Sequence, residues 1–207
     1  MRWATGSNQT LFKHFLPLWS SGLSLHQKVM ATIHLTQYTP HPVMLMMMAL
    51  APLMIATRAY YGLPLGPLAA LSVIVPGMTV VSQMMLGGNW PRRLLYYPFV
   101  MVLGTGMMWN NTRALWRAIQ SWRTHRELEF VRTPKFASGS GEVAAVSTAA
   151  VAYSIPASAH SYVELALAVY ALGVAIMAFR TAPSVAPVFG LYAVALAIVG
   201  GRALLDR

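Results

Sequence analysis

The sequence predicts an all-α membrane protein. About four transmembrane helices and two or three interfacial amphipathic helices are expected, with no catalytic α/β domain. Three observations carry this. The chain is 57% hydrophobic and only 10% charged, against about 25% charged in a soluble domain. Its apolar residues gather into runs approaching the roughly 20 residues that cross a bilayer core. Its basic residues, which outnumber the acidic ones 15 to 5, fall mostly beside or between those runs, as cytoplasmic loops require. A net charge of +10 would suggest nucleic acid in a soluble chain. In a membrane protein it suits lipid headgroups, so the expected partner is the lipid bilayer and not nucleic acid. There is no Cys, which rules out disulfides and thiolate metal sites.

Residues 1–39 hold the first interfacial element. Phe12, Phe15, Leu16 and Trp19 recur at helical spacing over residues 9–19, and Pro17 predicts a break or kink there. The opening "MRWATGSNQT" has neither the short apolar run nor the small-residue cleavage site of a signal peptide. Residues 40–87 hold two expected spans. The first runs from Pro42 to Thr57 and can extend backward through "IHLTQYTPH"; the second runs from Leu68 to Leu86. The turn "YYGLPLGP" separates them.

Residues 88–123 contain a third apolar run, Leu94 to Trp109, preceded by Arg92 and Arg93 and interrupted by Pro98, Gly104 and Gly106. Charge decides its reading. Arg2, Lys13 and Lys28 before the spans, and Arg113, Arg117, Arg123, Arg126, Arg132 and Lys135 after this run, all belong in the cytoplasm. An even number of crossings must separate the two sets. The third run is therefore read as interfacial or re-entrant. "RALWRAIQSWR", residues 113–123, follows as a basic amphipathic helix, with Leu115, Ile119 and Trp122 on one side and Arg113, Arg117 and Arg123 towards the other.

Residues 124–142 form a loop that ends in the flexible linker "ASGSGE". Residues 143–207 hold the last two spans, Tyr162–Phe179 and Val185–Leu205, joined by "RTAPSVAP". Four crossings place both termini in the cytoplasm. They also place every Lys and Arg there except Arg58 and Arg180.

The chain is poor in catalytic groups. Its one Asp is Asp206; Glu127, Glu129 and Glu142 lie in the loop region, and Glu164 near the start of a span. No carboxylate pair makes a divalent-metal site, and there is no Ser/His/Asp constellation or phosphate-binding glycine loop. Glu164, close to the end of its span, is expected to snorkel to the interface, although an intramembrane acid also raises the question of a pore. His34 and His41 are seven apart but lack a third ligand, so packed or interfacial roles are expected. The Met run at 44–48 reads as lipid contact and helix packing, not as a soft-metal site. "ELEFVRTPKF", residues 127–136, offers Arg, Thr and Lys donors suited to phosphate. Alone that signal is weak, and a solvated basic loop is the default reading.

The stretch "RWATGSNQTLFKHFLP" resembles the end of the QxxRW motif of processive family 2 glycosyltransferases. These include bacterial cellulose synthase, hyaluronan synthase and the mannan and glucomannan synthases. "ALAPLM" resembles the span that follows the motif. "NNTRALWRAIQSWRTHRELEFVRTPKF" resembles the corresponding stretch of the mannan/glucomannan-synthase-like branch and the gating loop FxVTxK of cellulose synthase. Phe130, Thr133 and Lys135 fall on matching positions; Arg132 replaces the Val, and Pro134 fills a variable one.

The resemblance runs in order along essentially the whole chain. It implies that Trp3 packs on the acceptor sugar, that Arg2 sits by the donor diphosphate, and that Phe130, Arg132, Thr133 and Lys135 contact a nucleotide-sugar. It further implies a UDP- or GDP-sugar donor with Mg or Mn in the intact enzyme, a growing polysaccharide as partner, and the bacterial inner membrane as location. Met1 would occupy an x position of QxxRW, with the catalytic domain upstream, so the chain alone would be inactive. Trp90, Trp109, Tyr96 and Tyr97 are read as interfacial anchors before sugar platforms. The competing reading is a stand-alone multispan scaffold or polysaccharide-export subunit that serves a separate transferase. A transporter reading lacks paired inverted repeats.

Overall fold

The computed structural model describes residues 2–62, 73–125 and 159–205. Regular structure among them is entirely helical: α1 (Arg2–Ser20), α2 (Leu25–Leu35), α3 (Pro40–Ala56), a 3-10 turn (Ala59–Gly62), α4 (Ile74–Met85), α5 (Trp90–Leu94), α6 (Tyr97–Gly106), α7 (Met108–Thr124), α8 (Ala159–Thr181) and α9 (Ala186–Leu205).

Two helices meet the length a bilayer demands. α8 has 23 residues and α9 has 20, each with mean hydropathy 2.0; at 1.5 Å per residue they reach about 30 Å or more. α2 and α3 together form a third possible crossing, bent by 56° at the break between them. The expected backward extension of the first span is therefore not a straight helix. Pro40 and Pro42 explain the bend, because proline in a first turn starts a helix but cannot continue one from behind. α4 is apolar but has 12 residues, and residues 63–72 of the second expected span lie outside the described residues. The third apolar run is broken by a turn at Leu95 and Tyr96 and another at Met107. Its longest piece, α6, has ten residues, about 15 Å and half a hydrocarbon core.

α3, α8 and α9 pack into one bundle. One core cluster joins Met48 of α3, Ala168 and Ala171 of α8, and Ala193 and Leu196 of α9. The next joins Ala51 and Ile55, Val174 and Ala178, and Ala186. Numbers rise together in α3 and α8 and fall in α9, so α3 and α8 run parallel and α9 runs against them. Arg58 and Arg180 consequently mark one end of the bundle. The N-terminal ends of α3 and α8 and the Arg202 end of α9 share the other. Small buried residues dominate these seams, which lets helices approach closely where hydrophobic driving force is absent. The outward faces are large and apolar: Leu53, Val169 and Phe179 are 62, 72 and 74% exposed, an area of apolar surface that suits lipid and not water.

α6 packs on α9 through Gly106, where an added Cβ would lie 2.5 Å from Val199 Cγ2 and 2.6 Å from the Ala195 carbonyl. Before α6, Gly87 and Gly88 both have φ of +65°, a left-handed conformation open to glycine at little cost. Arg93 closes that turn by donating to the Gly87 carbonyl at 2.6 Å.

α1, α2 and α7 form a second layer. Pro17 does not end α1, which runs on to Ser20. Proline so near the C-terminus removes one N–H from the ladder, and the frayed carbonyls find serine: Ser20 Oγ donates to Leu16 O at 2.9 Å and Ser21 Oγ to Leu18 O at 2.6 Å. α2 opens with a capping box between Ser24 and Gln27. Lys28 Nζ then donates to Trp19 O at 2.9 Å, and Trp19 Nε1 to Thr32 Oγ1 at 3.1 Å, fastening α2 back onto α1. α7 is longer than expected, and its buried face differs. Met108, Asn111, Ala114 and Ala118 are buried, while Leu115 and Ile119 are half-buried and Trp122 is exposed. The large residues flank a seam of small ones, because close packing on α1 and α3 selects for size before hydrophobicity.

Gly106→Ala should lower the thermal midpoint of the detergent-solubilised chain, since overpacking against backbone costs about 1–3 kcal/mol. Gly104→Ala, with open space at its Cβ position, should leave the midpoint unchanged or raise it. Circular dichroism melts of the two variants make the comparison.

Candidate functional site

The first turns of α7 cross the bundle at the end opposite Arg58 and Arg180, and polar side chains collect there. α7 opens "MWNNTR", and its consecutive residues reach different neighbours because each turns about 100° from the last. Asn110 Nδ2 donates to Glu164 Oε1 of α8 at 2.6 Å. Glu164 is 3% exposed. It does not snorkel, as the sequence suggested, because it faces inward against α9: a Cβ on Gly200 would lie 3.0 Å from Glu164 Cβ and 3.0 Å from the Ser161 carbonyl. Gly200 is the close approach that lets α9 cover the carboxylate's stem.

Arg113, one turn after Trp109 and Asn110, adds charge. Burial and then the neighbouring Arg117 push its guanidinium below the usual range, while Glu164 acts in the opposite sense. It remains a cation in any accessible pH. The carboxylate therefore has a direct amide donor and a guanidinium within electrostatic reach. Trp109 points to the same region, with its ring centroid 6.4 Å from that of His160. Its indole N–H is buried and has no acceptor among the described residues.

Asn111, 3% exposed, turns to α3. Its Nδ2 lies 3.2 Å from His41 Nε2. The same ring nitrogen lies 3.2 Å from the Gly104 carbonyl of α6, and His41 Nδ1 lies 3.3 Å from the Tyr38 carbonyl. One imidazole thus joins the turn before α3, the end of α6 and the start of α7. His34 is exposed on α2, across the bend from His41, and the two do not act together. Among the described residues no three His, Asp or Glu gather as a metal site.

The residues expected to bind donor and acceptor are distributed differently. Arg2 is the first residue of α1, and the Trp3 side chain is 84% exposed. Phe130, Arg132, Thr133 and Lys135 lie outside the described residues. α1 and α7 are nonetheless held side by side. Gln9 Nε2 donates to Ser121 Oγ at 3.3 Å, and the Phe12 and Trp122 rings stack with centroids 5.9 Å apart. Tyr96 is exposed, Trp90, Tyr97 and Trp109 are half-buried. In the Met run, Met48 is core while Met46 and Met47 are exposed on the outer face of α3.

The sequence reading missed Asn110 and Asn111 as partners of Glu164 and His41. The available signal was two adjacent amides just past an apolar run, a polar pair that a helix entering a bundle must satisfy. No protein-family model, curated protein or solved structure matches the chain.

Asn110→Ala strands a buried carboxylate and should destabilise the fold by about 1–3 kcal/mol. Glu164→Gln keeps an oxygen for Asn110 and should cost less. A double-mutant cycle of Asn110→Ala with Glu164→Ala, read from thermal unfolding in detergent, should show coupling. Strict additivity would mean that the 2.6 Å bond contributes nothing.

Proposed function

We propose that this chain is the membrane-channel part of a processive glycosyltransferase, which polymerises a β-linked polysaccharide from a nucleotide-sugar and conducts it across the bilayer. The observation that carries the reading is the α1–α7 pairing. α1 begins with the Arg2–Trp3 pair that resembles the acceptor-site motif. α7 leads, through the left-handed cap at His125, into the segment 127–136 that resembles a nucleotide gating loop. The contacts pair Gln9 with Ser121 and Phe12 with Trp122, so Trp3 and His125 lie to either side of them, by about 9 Å and about 6 Å of helix rise, and the two motif-bearing segments are tied to one helix pair.

In this role the exposed Trp3 offers a flat apolar face for a sugar ring. Arg2 sits by the donor diphosphate. Lys135 supplies a point charge and Thr133 a hydroxyl donor to phosphate oxygens, with Phe130 and Arg132 flanking them. The donor is a UDP- or GDP-sugar bound with Mg or Mn. Glu164, buried and hydrogen-bonded, is not placed to deprotonate an acceptor hydroxyl. The metal-binding and base carboxylates belong to a catalytic domain or subunit that works with this chain. The basic end of the bundle faces the cytoplasm of a bacterial inner membrane, by the charge bias that leaves Arg58 and Arg180 at the far end.

Because the chain has no Cys, single cysteines can test this orientation directly. Cysteines at 58 and 181 should react with an impermeant maleimide in intact spheroplasts. One at 125 should react after permeabilisation alone. Labelling at 125 from outside would overturn the orientation.

Lys135→Ala and Thr133→Ala should each slow polymer synthesis about 10- to 150-fold if a charge-assisted bond is lost in the transition state. Membrane insertion should be unaffected. Arg132→Ala should cost less, since that position departs from the resembled loop. The assay is nucleotide release and polymer yield in membranes holding this chain together with its catalytic domain. Near-normal rates for both variants would reduce "FVRTPKF" to a solvated basic loop.

A further inference from the structure

We infer that His41 is a proton-operated latch that ties α6 to the start of α3. The reading comes from the three polar atoms around one imidazole and does not depend on the proposed transferase role.

Both ring nitrogens face backbone carbonyls: Nδ1 faces Tyr38 O at 3.3 Å and Nε2 faces Gly104 O at 3.2 Å. A carbonyl oxygen only accepts. A neutral imidazole has one N–H and can serve one of them; an imidazolium has two and serves both. Asn111 completes the device. Its side-chain amide sits 3.2 Å from Nε2, and an amide presents NH2 or, turned by 180°, oxygen. In the neutral state Nδ1–H donates to Tyr38 O, and Nε2 accepts from Asn111 Nδ2. The Gly104 carbonyl then has no donor from the ring. When a proton from the aqueous phase binds Nε2, that nitrogen becomes a donor to Gly104 O, and the Asn111 amide turns its oxygen to the ring. The proton stays on His41, and no other group exchanges one.

The surroundings bear on the proton's stability. Tyr38, whose ring centroid is 6.5 Å from that of His41, is the titratable group stacked against it. α6 carries no charged residue, and Tyr97 lies at its other end. α7 brings Arg113, Arg117 and Arg123, and α8, packed on α3, brings Glu164 and His160. The link is present while the ring carries two N–H groups and is given up when it carries one. What it controls is the docking of α6, which lies against α9 at Gly106.

Hydrogen exchange of the full chain in nanodiscs tests this. Protection of α6 amides, corrected for intrinsic exchange, is compared at about pH 5.5 and about pH 8, either side of the imidazole range. Wild type should lose roughly tenfold protection at the higher pH. His41→Gln, which cannot titrate, should show equal protection at both. Glu164→Gln should retain the difference. Equal protection in wild type, a difference that survives His41→Gln, or one abolished by Glu164→Gln would each overturn the latch. Should His41→Gln fail to fold, nitrogen-15 spectra of the wild-type histidines decide. Two ring N–H groups on His41 at low pH, with Nε2 losing its proton at high pH, are expected. One unchanged tautomer throughout would overturn it.

Discussion

The bond from Asn110 to Glu164 is the contact around which the rest of this molecule is arranged. A carboxylate that is 3% exposed inside an apolar bundle costs several kcal/mol unless it is met by donors. Meeting it fixes three elements at once. α7 must cross the end of α8 closely enough for a 2.6 Å contact. α9 approaches through glycine at position 200, where an added Cβ would lie 3.0 Å from the Glu164 Cβ, tighter than an ordinary contact. Arg113 must follow on the next turn of α7, so that the guanidinium lies near the acid and its own partial burial is offset. A polar pair thus sets the register between an amphipathic layer and the apolar bundle beneath it, where hydrophobic contacts alone would allow sliding.

The α1–α7 layer follows from that register. Once α7 is held across the bundle end, its seam of Asn111, Ala114 and Ala118 is the surface on which α1 and α3 close. α1 answers with Ala4, Asn8 and Leu11, all buried and spaced by four and three residues as one helix face requires. Asn8 pays for its place imperfectly: Nδ2 donates to Ala4 O at 2.8 Å, while Oδ1 is buried without a partner among the described residues. The exposed aromatic residues Trp19, Trp116 and Trp122 lie on this layer. There an apolar ring with a polar N–H suits a headgroup region.

Much of this was legible in the sequence, and the parts that were not share a cause. Hydropathy located α8 and α9, and glycine and proline in the third apolar run marked where α6 is cut short. Charge alone set Arg58 and Arg180 apart from the other basic residues, and the bundle indeed puts them at one end. Pro17 misled because a rule about helix interiors was applied to the last turn, where serine hydroxyls take up the loose carbonyls. The buried side of α7 misled because periodicity weighs large apolar residues most, whereas close helix contact prefers alanine. Glu164 misled because snorkelling is inferred from position along one helix. Its actual environment is set by Asn110, 54 residues earlier, and no local pattern holds that information. The donor and acceptor residues were read from resemblance, and of these only Arg2 and Trp3 lie within the described helices.

The shortness of α6 makes the His41 contacts intelligible. The last carbonyls of a ten-residue helix need donors from beyond it in a membrane protein's interior, where each unsatisfied group costs several kcal/mol; the Met107 N–H serves those of Leu103 and Thr105. The carbonyl of Gly104 is the next in line. A side chain from a neighbouring helix meets it: His41 reaches the Gly104 carbonyl from the first turn of α3. A lysine or arginine there would supply donors permanently but would carry a fixed charge against the positive end of α3 and the arginines of α7. A serine or threonine would be too short to span the gap between helices. Histidine reaches, donates, and carries its charge only when a proton is available. The choice of residue is therefore the compromise that a short helix, a helix N-terminus and a basic layer jointly impose.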